Sequence, residues 1–400
     1  MTAAEDGAYD FDAPIDRRGT GCVKWDLLGR AFGNPDLIPL WIADTDFAAP
    51  DEVVAALRAR LNHPVFGYTT APDDFAPSLR DWLARRHGWR PDASWIVPAE
   101  GLVAAVAMAM NALTREGDSV VIQPPVYDPF FGVVEANGRR LALNPLRRSA
   151  AGRWEMDLAG LEALFEGGAR CMILCSPHNP VGRVWTAGEL SELASLCARY
   201  GVFIISDDIH SDLALGPVPY TPIGAVPGVD PDRLVSCYAP GKTFNLAGLK
   251  GSAVVIPGER ARKSFCAYQE RFHGCKPSAT AFAAFVAAYR SGDAYADGLA
   301  RYVSGNARYA REFIASSIPS LAAEEPEGTF LMLVDCSTLG LESWDLVNFF
   351  KDEAGVLFSR GAAYGEATKA YVRMNIGCPR STLETALGRV GDACRGKTGR

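Results

Sequence analysis

The feature that most restricts the fold of this chain is a series of short, uninterrupted apolar runs separated by segments at helical spacing. Such runs are typical of strands covered on both faces, since a half-exposed strand would alternate apolar and polar residues. One intervening segment, residues 186–200, opens with Thr186 and Glu189 at the spacing of a capping box. Strands alternating with helices predict a mostly parallel sheet in a three-layer α/β domain. The apolar runs lie at 120–123, 171–175, 202–206, 234–238 and 253–257.

Beyond about residue 280 the pattern changes, and helical stretches surround isolated strand candidates. The helical stretches lie at 300–316 and 343–354, and the strand candidates at 330–335 and 371–376. This pattern predicts a smaller α+β domain that closes over the first. The first 40 residues are expected to be irregular and to wrap over other parts. The predicted division is an N-terminal arm packing on the small domain (1–46), a large domain (47–285) and a small C-terminal domain (286–400).

The composition excludes several classes of function. Of 400 residues, 48% are hydrophobic and 22% charged, with a formal net charge of −7, as in an ordinary globular protein. Only Arg395, Lys397 and Arg400, at the chain end, look basic, so neither nucleic acid nor an anionic membrane is an expected partner. The chain shows no signal-peptide pattern and no apolar run near the roughly 20 residues of a membrane span. We therefore expect a cytoplasmic protein.

Ten cysteines are spread along the chain, and we expect them to be reduced. Cys171 and Cys175 lie within one apolar run and are interpreted as small buried hydrophobes. The sequence contains neither a Cys-x-x-Cys nor a His-x-x-x-His pair. Metal catalysis is therefore not expected.

Polar residues follow several of the predicted strands directly. Asp207, Asp208 and His210 come after one apolar run, Asn179 follows another, and Lys242 follows a third. In an open parallel sheet the ligand binds beyond the carboxyl ends of the strands. Each residue alone could be a solvated strand end, since charged residues are mostly exposed. Their joint occurrence at one edge favours a functional site.

Seven strings around these residues form a recognisable set. They are WIADTDF (41–47), FGYT (66–69), PPVYDPF (124–130), SPHNPVGRVW (176–185), SDDIHSDL (206–213), APGKTFNLAGLK (239–250) and VRMNIGCPR (372–380). Together they resemble fold-type I pyridoxal-phosphate enzymes, in particular the cystathionine β-lyase-like C–S lyases of the aminotransferase superfamily. The resemblance extends from near residue 11 to near residue 391. It implies an aspartate-aminotransferase-like fold with pyridoxal 5'-phosphate as cofactor.

The resemblance implies a role for each matching residue around the cofactor ring. Lys242 would form the Schiff base and act as the base once released, and Asp207 would keep the pyridine nitrogen protonated. Asn179 would donate to the ring oxygen and Tyr127 would stack on the ring. His210 stands where aminotransferases often have a tyrosine directed at the same ring oxygen, and it could serve there or fill space.

Further matches imply phosphate and substrate contacts. Gly101 and Leu102, at a predicted helix start, would bind the cofactor phosphate together with Lys250. Arg373 would clamp the substrate α-carboxylate, for which its planar fork is suited, and Ala43 would also contact the substrate. Tyr68 would reach the active site of the neighbouring subunit. The resemblance therefore implies a homodimer with shared sites.

The sequence also departs from the pattern of these lyases. Gly241 replaces a common serine before the lysine, and Tyr238 stands where a small hydroxyl residue is usual, so one phosphate ligand is expected to be absent. Glu100 places a carboxylate beside a helix start meant for phosphate, and the two would repel at close range. Thr45 replaces an expected methionine. These changes surround the predicted pocket and favour an unusual substrate.

The predicted activity is β-elimination from an S-substituted cysteine, yielding a thiol, pyruvate and ammonia. Two alternatives with the same cofactor stay open: an aminotransferase, and a decarboxylating oxidative deaminase of cysteine conjugates. A third alternative, a regulator without catalysis, is disfavoured because both Lys242 and Asp207 are present.

Overall fold

The computed structural model describes residues 9–272 and 276–398 and contains one large sheet and one smaller sheet. The large sheet has seven strands, and all but one of them run in the same direction. Across the sheet they are Ile96–Glu100, Gly251–Val255, Leu234–Tyr238, Phe203–Asp207, Cys171–Cys175, Ser119–Ile122 and Arg140–Leu143. The mostly parallel sheet predicted from the apolar runs is confirmed.

Gly251–Val255 corrects one detail of that prediction. It corresponds to the apolar run at 253–257 but pairs antiparallel with both of its neighbours. Uninterrupted hydrophobicity reports burial on both faces of a strand, whatever its direction. Two edge strands, Ile96–Glu100 and Arg140–Leu143, gave no such run because each leaves residues partly exposed.

Apolar layers cover both faces of the large sheet. Ile173 and Ile205 belong to one buried cluster, and Met172 and Ile204, one residue earlier on the same strands, belong to another. Side chains alternate between the faces of a strand, so the two clusters lie on opposite faces. The three-layer architecture is therefore confirmed.

The helices that flank the sheets start and end at residues with a clear physical role. Thr186 and Glu189 form the predicted capping box, and the helix ends at Gly201, whose φ of 63° is left-handed. Within the described residues the α-helices are Val23–Asp26, Leu28–Phe32, Asp51–Leu61, Phe75–His87, Leu102–Leu113, Pro129–Ala136, Leu158–Glu166, Ala187–Tyr200, Glu259–Glu270, Ala279–Ser291, Asp293–Ser317, Ser343–Phe349 and Arg380–Thr398. A π-helical turn, Phe350–Ala354, continues the twelfth of these. In this part of the chain no helix is long and apolar enough to cross a membrane.

The smaller sheet combines the C-terminal strands with one strand from the N-terminal segment. Its order is Ile38–Leu40, Val356–Arg360, Tyr371–Asn375, Leu331–Asp335 and Ala322–Ala323, and only the first pair is parallel. A short hairpin of Arg147–Arg148 and Trp154–Glu155 stands apart.

The N-terminal segment is more regular than the sequence predicted. It contains two short helices before Ile38–Leu40, which pairs with the small sheet. The glycines and prolines of this segment predicted irregular structure. Its main-chain pairing with the distant strand Val356–Arg360 could not be predicted, because local composition carries no information about distant partners. The division at residues 46 and 285 stays a prediction, and residues 1–8 of the predicted arm lie outside the described residues.

Candidate active site

A cavity of about 660 Å³ opens at the carboxyl ends of the parallel strands. Its position is the one expected for a ligand in an open α/β sheet. Two predicted residues, Arg373 and Ala43, lie outside its lining but form hydrogen bonds with lining residues, Arg373 with Asn179 and Ala43 with Lys242. The predicted residues that line it are Gly101, Leu102, Tyr127, Asn179, Asp207, His210, Lys242 and Lys250.

Lys242 lies in the turn after Leu234–Tyr238 and extends its amine across the cavity wall. The amine donates a hydrogen bond to the Ala43 carbonyl. Burial lowers the pKa of Lys242 to about 8, and the nearby Arg373 cation acts in the same direction, against the carboxylates of Asp44 and Asp207. A neutral amine is therefore accessible near neutral pH, as a nucleophile or base requires.

Asp207 ends the strand Phe203–Asp207 and is buried beside the cavity. Its carboxylate accepts a hydrogen bond from the backbone N–H of Ile209 at 3.1 Å. Burial raises its pKa to about 7, although that hydrogen bond and the charge on Lys242 act in the opposite direction. A cation bound opposite Asp207 would lower this pKa again, so the two charges would stabilise each other.

The next carboxylate, Asp208, does not line the cavity. It accepts hydrogen bonds from Ser206 Oγ and from the Tyr220 hydroxyl, both at 2.8 Å. Its side chain is therefore directed away from the cavity, and Asp208 is not part of the lining.

His210 contributes a buried ring to the cavity wall, and Tyr127 contributes a partly buried one. The His210 ring meets Phe330 edge-on at 5.6 Å, and its Nδ1 is buried without a hydrogen-bond partner among the described residues. Burial lowers the pKa of His210 well below its ordinary value, so the imidazole is neutral. Burial raises the pKa of the Tyr127 hydroxyl, and the negative charge on Asp207 raises it further. Both groups are therefore uncharged near neutral pH.

Arg373 is buried, and several fixed groups orient its guanidinium. Its two terminal nitrogens donate to Asn179 Oδ1 at 3.2 Å, to the Trp41 carbonyl at 2.8 Å and to Ser359 Oγ at 3.0 Å. The guanidinium also lies over the Tyr364 ring, 4.9 Å from its centre. Its Nε has no partner in the described part of the chain. A carboxylate could bind this preorganised cation without further ordering of the side chain.

The strand–helix junction at Gly101 forms an anion-binding corner. Gly101, with a φ of 74°, caps the helix Leu102–Leu113 and donates its N–H to the Lys250 carbonyl at 2.7 Å. Lys250 has a φ of 56°, which is also left-handed. The free N–H groups of the first helical turn and the Lys250 ammonium suit a phosphate. Glu100 lines the same corner, and its role stays a prediction.

The two other departures near the phosphate corner are placed differently. Gly241 lines the cavity, whereas Tyr238 does not. The Tyr238 hydroxyl is buried 3.2 Å from that of Tyr220. The predicted absence of one phosphate ligand stays a prediction.

Tyr68 is the predicted site residue that this chain does not bring to its own cavity. It lies in the connection between Asp51–Leu61 and Phe75–His87, and its side chain is fully exposed. Its role in a partner's site stays a prediction.

Cys175 is a cavity residue that the sequence interpretation missed. Its Sγ accepts the backbone N–H of Asn179 at 3.4 Å. Cys175 pairs with Asp207 on the neighbouring strand, and paired residues have their side chains on the same face of the sheet. The alignment of these two strands was the signal that could have located Cys175 at the cavity. Burial raises the pKa of its thiol well above the ordinary value, which makes it an inert support for Asn179.

Residues 35–390 match the family described as Aminotransferase class I and II. The chain belongs to this family. It is 38% identical over 382 residues to the cystathionine beta-lyase PatB of Bacillus subtilis, covering 95% of this chain and 98% of that protein. The predicted family resemblance is confirmed.

Two solved structures show how closely the fold agrees. Cystalysin from Treponema denticola, whose crystal structure contains a pyridoxal 5'-phosphate cofactor, superimposes with a TM-score of 0.93 at 29% identity, covering 97% of this chain and 99% of that one. The PLP-bound C-S lyase from Staphylococcus hominis gives a TM-score of 0.88 at 28% identity, with the same coverage. The predicted fold type is confirmed.

The cavity of this aminotransferase-family chain fits the predicted cofactor. One space is surrounded by an amine of lowered pKa, an anion-binding corner and a carboxylate that has no cationic partner in direct contact among the described residues. These are the groups that an aldehyde, a pyridine nitrogen and a phosphate require. In contrast, no group of three His, Cys, Asp or Glu side chains within residues 9–272 and 276–398 could hold a metal ion.

Proposed function

We propose that this chain cleaves an S-substituted cysteine by β-elimination, giving a thiol, pyruvate and ammonia. It is a pyridoxal-phosphate-dependent carbon–sulfur lyase. The observation that supports the proposal is that Lys242 and Asp207 line one cavity and that Arg373 donates a hydrogen bond to Asn179 in its lining. We assign these three residues as base, counter-charge and carboxylate clamp. The similarity to a cystathionine beta-lyase and to a C-S lyase supports elimination over amino transfer.

The chain's own residues would bind and orient both cofactor and substrate. Bound pyridoxal phosphate withdraws electrons from the α carbon of an attached amino acid. Lys242 would hold the cofactor and, once released, take the proton from the α carbon. Asp207 would keep a positive charge on the ring nitrogen, and Asn179 would donate to the ring oxygen. Arg373 would fix the substrate α-carboxylate, with the Ala43 carbonyl nearby as an acceptor.

The remaining bond changes balance without another reactant except water. The electron pair left by the α proton forms a double bond to the β carbon, and the β carbon–sulfur bond breaks. The sulfur leaves as a thiolate and gains a proton, and we assign the uncharged Tyr127 hydroxyl in the cavity lining as the donor. The released 2-aminoacrylate hydrolyses to pyruvate and ammonia.

The products test this proposal directly. We expect thiol, pyruvate and ammonia in equal amounts when the purified enzyme is incubated with a panel of cysteine S-conjugates without a keto acid. The thiol can be followed with a colour reagent and pyruvate with a coupled dehydrogenase. Amino transfer that requires a keto acid, or release of carbon dioxide, would favour one of the two alternatives instead.

We also propose a homodimer with shared sites, based on Tyr68 and its surroundings. Val65 and Phe66 are mostly exposed, as is Tyr68, so one short connection presents three large apolar side chains to solvent. An exposed apolar patch of this kind favours an interface with another protein surface.

Mixing two inactive variants tests whether the sites are shared. Tyr68→Phe and Arg373→Ala would each disable the sites to which the residue contributes. In a shared arrangement, the two residues of one site come from opposite subunits. After random exchange, half of the dimers carry one intact site, so activity should recover to about one quarter of the wild-type value. Each variant exchanged with itself is the control. Demonstrated exchange without recovery would contradict the role of Tyr68 in a partner's site.

A further inference from the structure

The segment that carries Ala43 is held by side chains from distant parts of the chain. It follows the strand Ile38–Leu40 and has no regular secondary structure. Every backbone carbonyl from Trp41 to Thr45 accepts a side-chain hydrogen bond. The donors are Arg373 and Ser359 to residue 41, Asn375 to residue 42, Lys242 to residue 43, Asn375 and Lys24 to residue 44, and Arg17 and Asn245 to residue 45.

Lys24 is the most unusual of these donors, because its side chain is completely buried. Its amine lies 2.7 Å from Asp46 Oδ2 and 3.2 Å from the Asp44 carbonyl. Removing an ammonium and a carboxylate from water is costly, and a buried ion pair often adds little net stability. Stability alone therefore does not account for a buried charge at this position.

Asp46 collects three donors and thereby fixes the segment from one side. It accepts from Lys24, from Arg17 Nη1 at 2.7 Å and from Trp25 Nε1 at 2.9 Å. Arg17 also forms a two-pronged pair with the carboxylate of Asp44. Two cations thus face two carboxylates, and the cluster carries no net charge.

Asn375 fixes the segment from the small sheet. Its side-chain N–H₂ donates to the carbonyls of Ile42 and Asp44, both at 2.6 Å. These carbonyls belong to the residues on either side of Ala43. The Ala43 carbonyl is therefore held between two fixed neighbours and faces the amine of Lys242.

We propose that Lys24, Asp46 and Asn375 are positioning residues for Lys242: they fix the main chain around Ala43, so that its carbonyl holds the lysine amine at the cavity wall. This inference rests on the proposed role of Lys242 as the cofactor lysine. None of the three residues lines the cavity, so they act through the main chain of residues 42–46.

The proposal predicts the direction of a titration. A carbonyl that accepts from an ammonium stabilises its protonated form, so loosening Ala43 should lower the pKa of Lys242. Among the described residues, the charged groups that act on this amine are Arg373, Asp44 and Asp207, and the neutral imidazole of His210 also interacts with it. A variant that keeps these four groups and the net charge unchanged therefore reports on the position of the Ala43 carbonyl.

The variant that meets this condition is Lys24→Met/Asp46→Asn, which removes one positive and one negative charge. The measurement is the rate at which pyridoxal phosphate recombines with the full chain after its removal, followed by absorbance across pH. Only the neutral amine attacks the aldehyde. The half-point, the pH at which the recombination rate is half of its maximum, therefore reports the pKa of Lys242. We expect this half-point to fall by about one unit, the order expected from a weakened hydrogen bond to a charged group.

Asn375→Ala provides a second, uncharged variant in case the double variant does not fold. It removes the hydrogen bonds from Asn375 to the carbonyls of Ile42 and Asp44 without changing any charge, and the half-point should fall in the same direction.

The matched control for the double variant is Arg85→Met/Asp293→Asn, which also removes one charge of each sign. That pair joins two helices that do not line the cavity, and its half-point should match that of the wild type.

Unchanged half-points in folded Asn375→Ala and in the folded double variant would overturn the proposal, and so would an equal fall in the control. Failure of the proposed function looks different. If Lys242 does not hold the cofactor, the Lys242→Ala variant recombines with pyridoxal phosphate at the wild-type rate. In that case the pH dependence of recombination does not come from the Lys242 amine in any variant.

Discussion

Replacing Lys242 with alanine is expected to abolish turnover and the visible absorbance of the lysine-bound cofactor. The amine of Lys242 lines the cavity, and burial lowers its pKa to about 8. Loss of a positioned base alone costs about 10²–10⁴-fold in rate, and loss of the covalent attachment adds to this. Steady-state assays together with an absorbance spectrum of the purified variant measure both effects.

Lys263→Ala is the appropriate control for this variant. Lys263 is exposed and forms a surface ion pair with Glu259. Its removal should leave the spectrum and the rate unchanged, since such pairs contribute little. Recovery of a borohydride-reduced lysine adduct from Lys242→Ala would show that another lysine holds the cofactor.

Asp207→Asn is expected to lower kcat strongly while the fold is retained. Asparagine has nearly the same shape, but it removes the negative charge that would hold the ring nitrogen protonated. At an effective dielectric constant of about 20, two unit charges about 4 Å apart interact by about 4 kcal/mol, which corresponds to a loss of about 10³-fold in rate. Cofactor content should be measured in parallel, so that weaker catalysis is separated from weaker binding.

The neighbouring carboxylate supplies a stringent control for Asp207→Asn. Burial raises the pKa of Asp208 to about 8, so this group is mostly protonated at pH 7 and Asp208→Asn changes little charge. It also lies outside the cavity lining. We expect a much smaller effect on kcat. Equal losses in both variants, or unchanged turnover in Asp207→Asn with full cofactor occupancy, would contradict the proposed role.

Much of the site could be predicted from the sequence because it lies at strand ends. Burial on both faces leaves an uninterrupted apolar run, and the first polar residue after it marks the edge where a ligand binds. Asp207, Asn179 and Lys242 were located in this way, and the structure places all three around one cavity. Each depends only on local sequence and on the general geometry of parallel sheets.

Other features could not be predicted because they depend on contacts between distant segments. The direction of Gly251–Val255 is set by its neighbours, not by its composition. The strand Ile38–Leu40 is stabilised by main-chain pairing with residues more than 300 positions away. Lys24, from an N-terminal helix, and Asn375, from the smaller sheet, reach the same short segment only in the folded chain. No local pattern distinguishes such a lysine from a surface one.

The acceptor that Ala43 offers to Lys242 is a main-chain carbonyl, and this affects how substitutions at the site would be interpreted. Every amino acid at position 43 supplies the same carbonyl, so a comprehensive substitution scan would record position 43 mainly as a steric constraint. The functional cost would register instead at positions 24, 46 and 375, which lie outside the cavity lining. Replacing one amide linkage by an ester, which weakens the carbonyl as an acceptor, would expose the contribution of position 43 itself.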